Sequence, residues 1–291
     1  MTKRDNENSR PDNLRTGGGL DFLAAVDSGS DPLLGQQIAN YQLYSLLAEG
    51  GMGRVYLGER RDGQFERKAA IKILPSGVGG EYVRRFERER VILAGLNHPN
   101  IAQLYDAGMA DTGNLYFVME LVDGVPIDEY CRRRECSLEQ KLSLLIDLCD
   151  ALGFAHGRLV LHRDIKPSNV LVTDAGQVKL LDFGIAKMIE SDGAGTRGAS
   201  PMTPQYASPE QLLGEPATIA SDIYQVGALM HLLLTGKAPF EGLDLPTRIR
   251  QISEKRPVNL GDSARGLPGD LQMVLKHCLS TDAQERYRDI N

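Results

Sequence analysis

The chain has few cysteines and no long apolar run. Its four cysteines, Cys131, Cys136, Cys149 and Cys278, form no C-x-x-C pair, so we expect free thiols in a reducing compartment rather than a disulfide framework. No stretch of about 18 apolar residues occurs, which argues against a membrane contact within this segment. The polar N-terminus is unlike a secretory signal. These absences predict a cytoplasmic location and leave open a membrane anchor elsewhere in a longer parent protein.

The chain also lacks an excess of positive charge. Lys and Arg number 33 against 39 Asp and Glu, which gives a net charge of −6. Because a nucleic-acid footprint is basic, nucleic acid is not expected as a partner. The composition is otherwise that of an ordinary globular protein, and 291 residues suffice for one large domain or two modest lobes.

The residue pattern changes near position 38. Residues 1–38 are polar and rich in Gly, Asn, Asp and Ser, which predicts a disordered leader. Strand-like runs around the turn residues Asp62 and Gly63, one helical period and two more strand-like runs then end near Val122. Long helical stretches follow. This order predicts an α+β fold in one domain over 39–291, with a small antiparallel-sheet lobe (39–122) and a larger, mainly helical lobe (123–291).

The stretch LAEGGMGRVYLG places Gly50, Gly51 and Gly53 before an apolar strand. Glycines let backbone N–H groups approach a phosphate closely, and they serve equally well in a structural turn. The spacing G-x-G-x-x-G would begin at Ala48, where alanine matters only if the backbone needs a positive φ. A dinucleotide-binding loop is disfavoured because a strand, not a helix, follows the glycines.

An inward-facing lysine follows in KAAIKIL. Strand alternation puts Lys72 on the same face as Ala70 and Leu74, and a buried ammonium there needs a partner. In the next helix Glu89 lies in the middle of an apolar stripe. The stripe comprises Phe86, Leu93 and Leu96. The pattern predicts an ion pair between Lys72 and Glu89, unless either charge reaches solvent at the edge of its element.

Two further segments, LHRDIKPSNVLV and VKLLDFGIAK, carry the polar groups that phosphoryl transfer requires. Asn169 and Asp182 offer hard oxygen ligands for magnesium. Asp164 is suited to orient an attacking hydroxyl and accept its proton, and Lys166 is suited to place a positive charge near the transferring phosphate. A polar surface loop would rarely offer all four in this order.

With these motifs in order, the chain resembles the eukaryotic-like (Hanks-type) bacterial serine/threonine protein kinases over residues 41–291. The motifs include the glycine stretch, HRDIKPSN, DFG and SPE. The resemblance implies a two-lobed protein-kinase fold that binds ATP and Mg²⁺ in the cleft. It assigns Lys72 to the α- and β-phosphates with Glu89 as its partner, Asp164 as the catalytic base, and Asn169 and Asp182 as metal ligands.

The same resemblance implies the nucleotide-binding residues. Met119 would guard the back of the adenine pocket, and the hinge over residues 120–122 would bind adenine through its backbone. Apolar side chains from both lobes would sandwich the ring, and the glycine loop would cover the phosphates. The implied set is Ala48, Glu49, Gly50, Gly51, Met52, Gly53, Arg54, Val55, Ala70, Lys72, Met119, Glu120, Val122 and Leu171.

The resemblance also implies the acceptor. Lys166, two residues after Asp164, and Thr203 in MTPQYASPE match the pattern for serine or threonine rather than tyrosine acceptors. The implied partners are ATP and protein substrates, including a second copy of the chain as a homodimer during autophosphorylation. The alternative is an ATP-binding pseudokinase or scaffold, which the intact motif residues argue against.

Two further expectations concern support and switching. The resemblance implies an ion pair between Glu210 and Arg286, and hydrogen bonds from Asp222 to the backbone around residues 162–163. Thr196 and Ser200, in the segment SDGAGTRGASPMT, are candidate phosphorylation sites. A phosphate on either one could bridge to the guanidinium beside the catalytic aspartate and order the loop.

Overall fold

The computed structural model describes residues 31–50, 53–63, 67–75, 80–183, 204–254 and 260–290. Several predictions fall on residues outside these ranges. They concern most of the leader, the glycine-loop residues Gly51 and Met52, and the loop residues Thr196, Ser200 and Thr203.

An antiparallel sheet forms the small lobe. Its strands run in the order β1-β2-β3-β4-β6-β5, and neighbouring strands are antiparallel. Gly63, with a φ of +73°, lies in the turn between β3 and β4, which confirms the predicted hairpin. The strands are β1 (Gln37–Ile38), β2 (Tyr41–Gly50), β3 (Gly53–Arg60), β4 (Lys68–Ile73), β5 (Leu104–Met109) and β6 (Leu115–Glu120).

Strand alternation gives this sheet two different faces. On the outer face Tyr56 and Ile71 lie fully buried in an apolar cluster. On the inner face, helix α1 (Gly80–Ala94) packs through Phe86, whose ring centroid lies 4.8 Å from that of Phe117. The predicted apolar stripe is confirmed by the burial of Phe86 and Leu93 in α1 and of Leu96 just beyond its end.

Residues 31–38 also pack against the sheet, so the predicted end of the leader at residue 38 differs from the structure. Strand β1 pairs with β2, and Ile38 is only 3% exposed. Leu33 and Leu34 pack against the outer cluster. These apolar side chains give the segment enough buried surface to stay in place, despite its polar surroundings in the sequence.

The larger lobe begins with a small antiparallel sheet of β7 (Gly124–Pro126), β8 (Val170–Thr173) and β9 (Val178–Leu180). Its helices are α2 (Ile127–Arg133), α3 (Leu138–His156), α4 (Pro209–Leu213), α5 (Ile219–Thr235), α6 (Leu245–Ser253) and α7 (Gly269–Cys278).

Local sequence explains where α3 begins and where α5 ends. Ser137 and Gln140 form a reciprocal capping box at the start of α3. Gly236, in the left-handed region with a φ of +76°, ends α5. Helix α5 is buried along most of its length and supports the polar loop described below. No helix in the described part of the chain is long and apolar enough to span a bilayer.

Candidate active site

A cleft of about 630 Å³ separates the two lobes. Most residues predicted to bind nucleotide or metal line this one cavity. The predicted residues found in its wall are Ala48, Glu49, Gly50, Gly53, Val55, Ala70, Lys72, Met119, Glu120, Val122, Asp164, Lys166, Asn169, Leu171 and Asp182. Two described residues of the predicted set, Arg54 and Glu89, are not part of the wall.

Lys72 lies in the cleft but pairs differently from the prediction. Its Nζ donates a hydrogen bond to Asp182 Oδ2 at 2.8 Å, and its side chain is 10% exposed. The described residues show no ion pair between Lys72 and Glu89, which the strand and helix patterns predicted. Asp182 competes with Glu89 for the Lys72 ammonium, and in this structure the ammonium is paired with Asp182.

Glu89 remains without its predicted partner on the inner side of α1. It is half-buried, and burial raises the pKa of its carboxyl above the usual value, while the positive charge of Arg163 acts in the opposite direction. A partly desolvated carboxylate is costly without a close cation. Its assignment as a catalytic residue therefore stays a prediction that depends on a rearrangement of α1 or Lys72.

The polar loop between α3 and β8 presents a compact cluster. Lys166 Nζ lies 3.0 Å from Asp164 Oδ2. Asn169 Nδ2 donates to the backbone oxygen of Asp164 at 2.7 Å and to its Oδ2 at 3.0 Å. The predicted base, the predicted cation and one predicted metal ligand therefore meet at a single carboxylate.

Side chains of helix α5 bind the backbone of this loop. Asp222, fully buried, accepts hydrogen bonds from the backbone N–H groups of His162 and Arg163, each at 2.8 Å. Gln225 Oε1 accepts from the backbone N–H of Ile165, also at 2.8 Å. The predicted contact of Asp222 is thus confirmed. A buried carboxylate with several donors fixes the loop firmly, because losing them would leave an unpaired charge.

His162 connects the polar loop to the segment after β9 that carries Asp182. Its Nε2 donates to the backbone oxygen of Leu181 at 2.7 Å, and its Nδ1 accepts from the N–H of Asp164 at 3.2 Å. This pattern fits a neutral imidazole, and complete burial lowers the pKa of His162, although nearby carboxylates oppose the effect. The ring therefore acts as a rigid, uncharged spacer between the two acidic residues.

Two residues of this region adopt the left-handed backbone region, which non-glycine residues rarely occupy. Arg163 has a φ of +66° and Asp182 a φ of +47°. Such conformations cost energy and are found where the surroundings dictate them, often at functional sites. Here the bonds to Asp222 and the position of Asp182 across from Asn169 define those surroundings.

A divalent metal would fit between Asn169 and Asp182. Asp182 Oδ1 is buried and has no hydrogen-bond partner, although Oδ2 of the same carboxylate is paired with Lys72. Both side-chain hydrogen bonds of Asn169 use its Nδ2, so its side-chain amide oxygen has no partner among the described residues and can bind a metal. Magnesium typically takes one or two protein oxygens together with substrate phosphates, and this donor set matches that habit.

Gly50 and Gly53, on the two strands of the glycine hairpin, line the cleft. Gly53 has a φ of +115°, and a Cβ built there would lie 2.2 Å from the backbone oxygen of Ile73. Only glycine fits at this position. Ala48 pairs with Val55 in the β2–β3 ladder, directly after a register shift between Leu46 and Ala48, and it has no positive φ. Alanine at position 48 is therefore compatible with the backbone of this hairpin.

The inner end of the cleft is mostly apolar and is bounded by the hinge. Met119 and Ala70 line it from the small lobe, and Leu171 lines it from the large lobe. The backbone groups of Val122 make no hydrogen bond within the described part of the chain, so they can bind a ligand. Glu120 instead directs its carboxylate to Lys179, 2.8 Å away.

Sequence reasoning missed several residues of the wall. Leu47 precedes the glycine stretch, Ala102 belongs to the segment before β5, and Ser168 lies between the predicted catalytic Lys166 and the predicted metal ligand Asn169. Each is a small or apolar residue without a distinctive spacing. The remaining unpredicted wall residues are Leu121, Gly124, Pro126 and Leu181.

The predicted ion pair beneath the cleft is confirmed. Arg286 donates to both carboxylate oxygens of Glu210, at 2.9 and 3.0 Å, and the Arg286 side chain is fully buried. Burial alone would raise the pKa of Glu210, but hydrogen bonds and charge from Arg286 outweigh it and lower that pKa. This pair supports the fold and lies outside the cleft wall.

Comparison with known proteins matches this geometry. A family model described as "Protein kinase domain" matches residues 41–288. The serine/threonine-protein kinases PknA and PknB of Mycobacterium tuberculosis are 37% and 35% identical to this chain over 256 and 257 residues. Each alignment covers 85% of this chain, but only 58% of PknA and 41% of PknB.

Solved structures agree with the sequence comparisons. The crystal structure of the Mycobacterium tuberculosis PknI kinase domain has a TM-score of 0.66 to this chain at 28% sequence identity. The alignment covers 88% of this chain and 93% of the PknI domain. The match over residues 41–288, together with the cleft geometry, shows that this chain belongs to the protein kinase family.

Proposed function

We propose that this chain transfers the γ-phosphoryl group of ATP to serine or threonine hydroxyls of protein substrates. The observation that carries the proposal is the convergence of Lys72, Asp164, Lys166, Asn169 and Asp182 on one cleft. Phosphoryl transfer relies on positioning and on charge stabilisation, and these five side chains provide both. Similarity to PknA and PknB, which are named serine/threonine-protein kinases, supports the same activity.

Each group has a distinct part in the reaction. The acceptor oxygen forms a bond to the γ-phosphorus while the bond from that phosphorus to the β–γ bridging oxygen breaks, and ADP leaves. Asp164 orients the acceptor hydroxyl and takes its proton. Lys166, 3.0 Å from Asp164, places positive charge beside the transferring group. Lys72 binds the phosphates that stay on ADP.

Magnesium belongs to the proposed active state. Asn169 and the unpartnered Oδ1 of Asp182 would hold the ion. When bound, Mg²⁺ neutralises the charge that develops on the phosphate oxygens. Asp182 pairs with Lys72 in this structure, so nucleotide and metal would compete with this ion pair for both side chains.

The proposed lobes follow from the same geometry. We place the division between 39–122 and 123–291, because β6 ends at Glu120 and the second sheet begins at Gly124. Val122 then lies in the connecting hinge. A protein substrate would reach Asp164 from the open side of the cleft, and a second copy of the chain can serve as that substrate.

The direct test is transfer of radiolabelled phosphate from ATP to a generic basic protein in the presence of Mg²⁺. We expect label on serine and threonine, and not on tyrosine, after hydrolysis of the product. The Asp164→Asn variant should bind nucleotide but transfer label at least about 10²-fold more slowly. Nucleotide binding by the natural chain without any transfer would indicate a scaffold and would overturn the proposal.

A further inference from the structure

The segment before the family match packs on the small-lobe sheet, on the face opposite the cleft. The family model begins at residue 41, yet residues 31–40 contact the small lobe. Strand β1 pairs with β2, the N–H of Gly35 donates to the oxygen of Leu43 at 2.9 Å, and Leu33 packs on the outer cluster. Asp31 lies at the start of this contact and is the residue on which the inference rests.

Asp31 accepts hydrogen bonds from two directions. Its Oδ2 accepts from the hydroxyl of Tyr56 at 2.7 Å, and its Oδ1 accepts from the N–H of Leu33 at 3.0 Å. Nη1 of Arg54 lies 3.6 Å from the same Oδ2. The Asp31 side chain is 10% exposed, so these contacts are partly shielded from solvent and salt. One carboxylate thus ties the preceding segment to two residues of β3.

Arg54 extends this contact across the glycine hairpin. Its Nε donates to Glu49 Oε1 at 2.8 Å, and Glu49 is the residue opposite Arg54 in the β2–β3 ladder. The next pair along the ladder, Gly50 and Gly53, flanks the hairpin turn. Asp31, Arg54 and Glu49 therefore link the preceding segment to both strands at the base of the phosphate-covering loop.

Strand alternation carries the effect into the cleft. Tyr56 and Arg54 point to the outer face of the sheet, where Tyr56 is fully buried. Val55, between them, points the other way and lines the cleft, as does Gly53. A shift of β3 at Tyr56 should move Val55 as well, because the two residues are joined by a planar peptide unit within a hydrogen-bonded strand.

We propose that Asp31 is a positioning residue for nucleotide binding. It holds Tyr56 and Arg54 on the outer face, and through them it sets the position of Val55, Gly50 and Gly53 in the cleft wall. The inference rests on the proposed function only in that the cleft takes ATP. It gives the segment before the family domain a part in nucleotide affinity.

Titration behaviour is consistent with a permanent contact. Burial, with Asp31 as its hydrogen-bond partner, raises the pKa of Tyr56 to about 12. The pKa of Asp31 is lowered, because hydrogen bonds from Tyr56 and Leu33 and the charge of Arg54 outweigh the effect of burial. At neutral pH the phenol is therefore protonated and the carboxylate ionised, which is the charge-assisted form of this bond.

The test compares Asp31→Ala and Tyr56→Phe in the natural chain. Each removes one side of the same hydrogen bond, and Tyr56→Phe keeps the buried ring if Asp31→Ala folds poorly. We expect the Kd for Mg-ATP, measured by displacement of a fluorescent nucleotide, to rise about fivefold or more in each variant. Because Asp31 touches no reacting group, KM for ATP should rise in parallel while kcat stays within about twofold.

A double variant separates positioning from general stability. If both residues act through one hydrogen bond, the Kd of the double variant Asp31→Ala/Tyr56→Phe for Mg-ATP should not exceed the higher of the two single-variant Kd values. Asp111→Ala removes an exposed carboxylate from the β5–β6 turn of the same sheet and should leave the Kd unchanged.

Two results would overturn the inference. One is an unchanged Kd in both single variants, even if their melting temperatures fall. The other is a double variant whose loss of affinity equals the product of the two single losses. A natural chain that binds no nucleotide at all would instead contradict the proposed function, and the inference with it.

Discussion

The ammonium of Lys72 is bonded to Asp182 at 2.8 Å and forms no ion pair with Glu89 in the described structure. Transfer chemistry in protein kinases requires the strand lysine to pair with the helix glutamate and the DFG aspartate to hold metal. The observed ion pair provides a partner for Lys72 and for one oxygen of Asp182, and it leaves Glu89 without its predicted partner. Binding of Mg-ATP would draw Asp182 to the metal and free Lys72 for the phosphates and Glu89.

The Glu89→Gln variant tests whether Glu89 contributes to catalysis although it does not pair with Lys72 in this structure. Burial raises the pKa of Glu89, so its ionised form costs stability above about pH 4.5, and removal of the charge relieves that cost. We therefore expect the free energy of unfolding at pH 7 to change by less than about 1 kcal/mol, or to rise. The kcat should nevertheless fall on the order of 10²-fold, because Lys72 loses its orienting partner.

The matched control is Glu87→Gln, which removes an exposed carboxylate from the same helix and should change neither quantity. Urea unfolding and steady-state kinetics give the two readouts. A Glu89→Gln variant with full kcat would show that the ion pair is not part of the active state.

Substitutions at Ala48 and Gly53, both in the glycine hairpin, should differ in their effect on nucleotide binding. Ala48 has no positive φ and still pairs with Val55, so Ala48→Gly should change KM for ATP by less than about tenfold. Gly53→Ala should weaken nucleotide binding by about 1–3 kcal/mol. The φ of Gly53 is +115°, and a Cβ there would meet the backbone oxygen of Ile73, so the hairpin would have to shift.

Nucleotide titration of both variants beside the natural chain measures the difference. If Ala48→Gly raised turnover by several orders of magnitude, alanine at position 48 would have to be a defect of the loop. Equal affinity of Gly53→Ala and the natural chain would show that this turn does not approach the phosphates.

Arg286→Ala should be strongly destabilising. It leaves the Glu210 carboxylate buried and unpaired, which costs about 3–5 kcal/mol. The pKa of Glu210 is lowered in the folded protein, since Arg286 outweighs the opposing effect of burial. The pair therefore stabilises the fold above the usual carboxyl pKa of 4.5, and this contribution is lost as pH falls through the lower folded value.

Urea unfolding at pH 7 and near pH 4 measures the free-energy cost of Arg286→Ala and the direction in which that cost changes with pH. The stability gap between Arg286→Ala and the natural chain should narrow on acidification. Arg265→Ala breaks an exposed pair with Asp262 and should cost less than about 1 kcal/mol at either pH. A small effect of Arg286→Ala at pH 7 would contradict the account of this pair.

Periodicity predicted much of the fold because the relevant contacts are local. The alternation in KAAIKIL is confirmed by Lys72 in the cleft wall and Ile71 in the outer cluster. The stripe of α1 is confirmed by the burial of Phe86 and Leu93. Both patterns follow from the repeat of a strand or a helix, so a single segment suffices to recognise them.

Pairing between distant segments could not be predicted in the same way. Two acidic residues, Glu89 and Asp182, compete for Lys72, and their order depends on how α1 sits on the sheet. The partnership of Asp31 and Tyr56 joins positions 25 residues apart in a segment whose composition predicted disorder. Single-segment patterns carry no information on such choices, because tertiary packing decides them.

The central claim is tested most directly by intact-mass and peptide mass spectrometry of the purified chain with and without Mg-ATP. We predict added phosphoryl groups on serine and threonine residues in the natural chain, and none above background in Asp164→Asn over the same time. An unchanged mass in a natural chain that demonstrably binds Mg-ATP, or equal modification of both proteins, would contradict the claim.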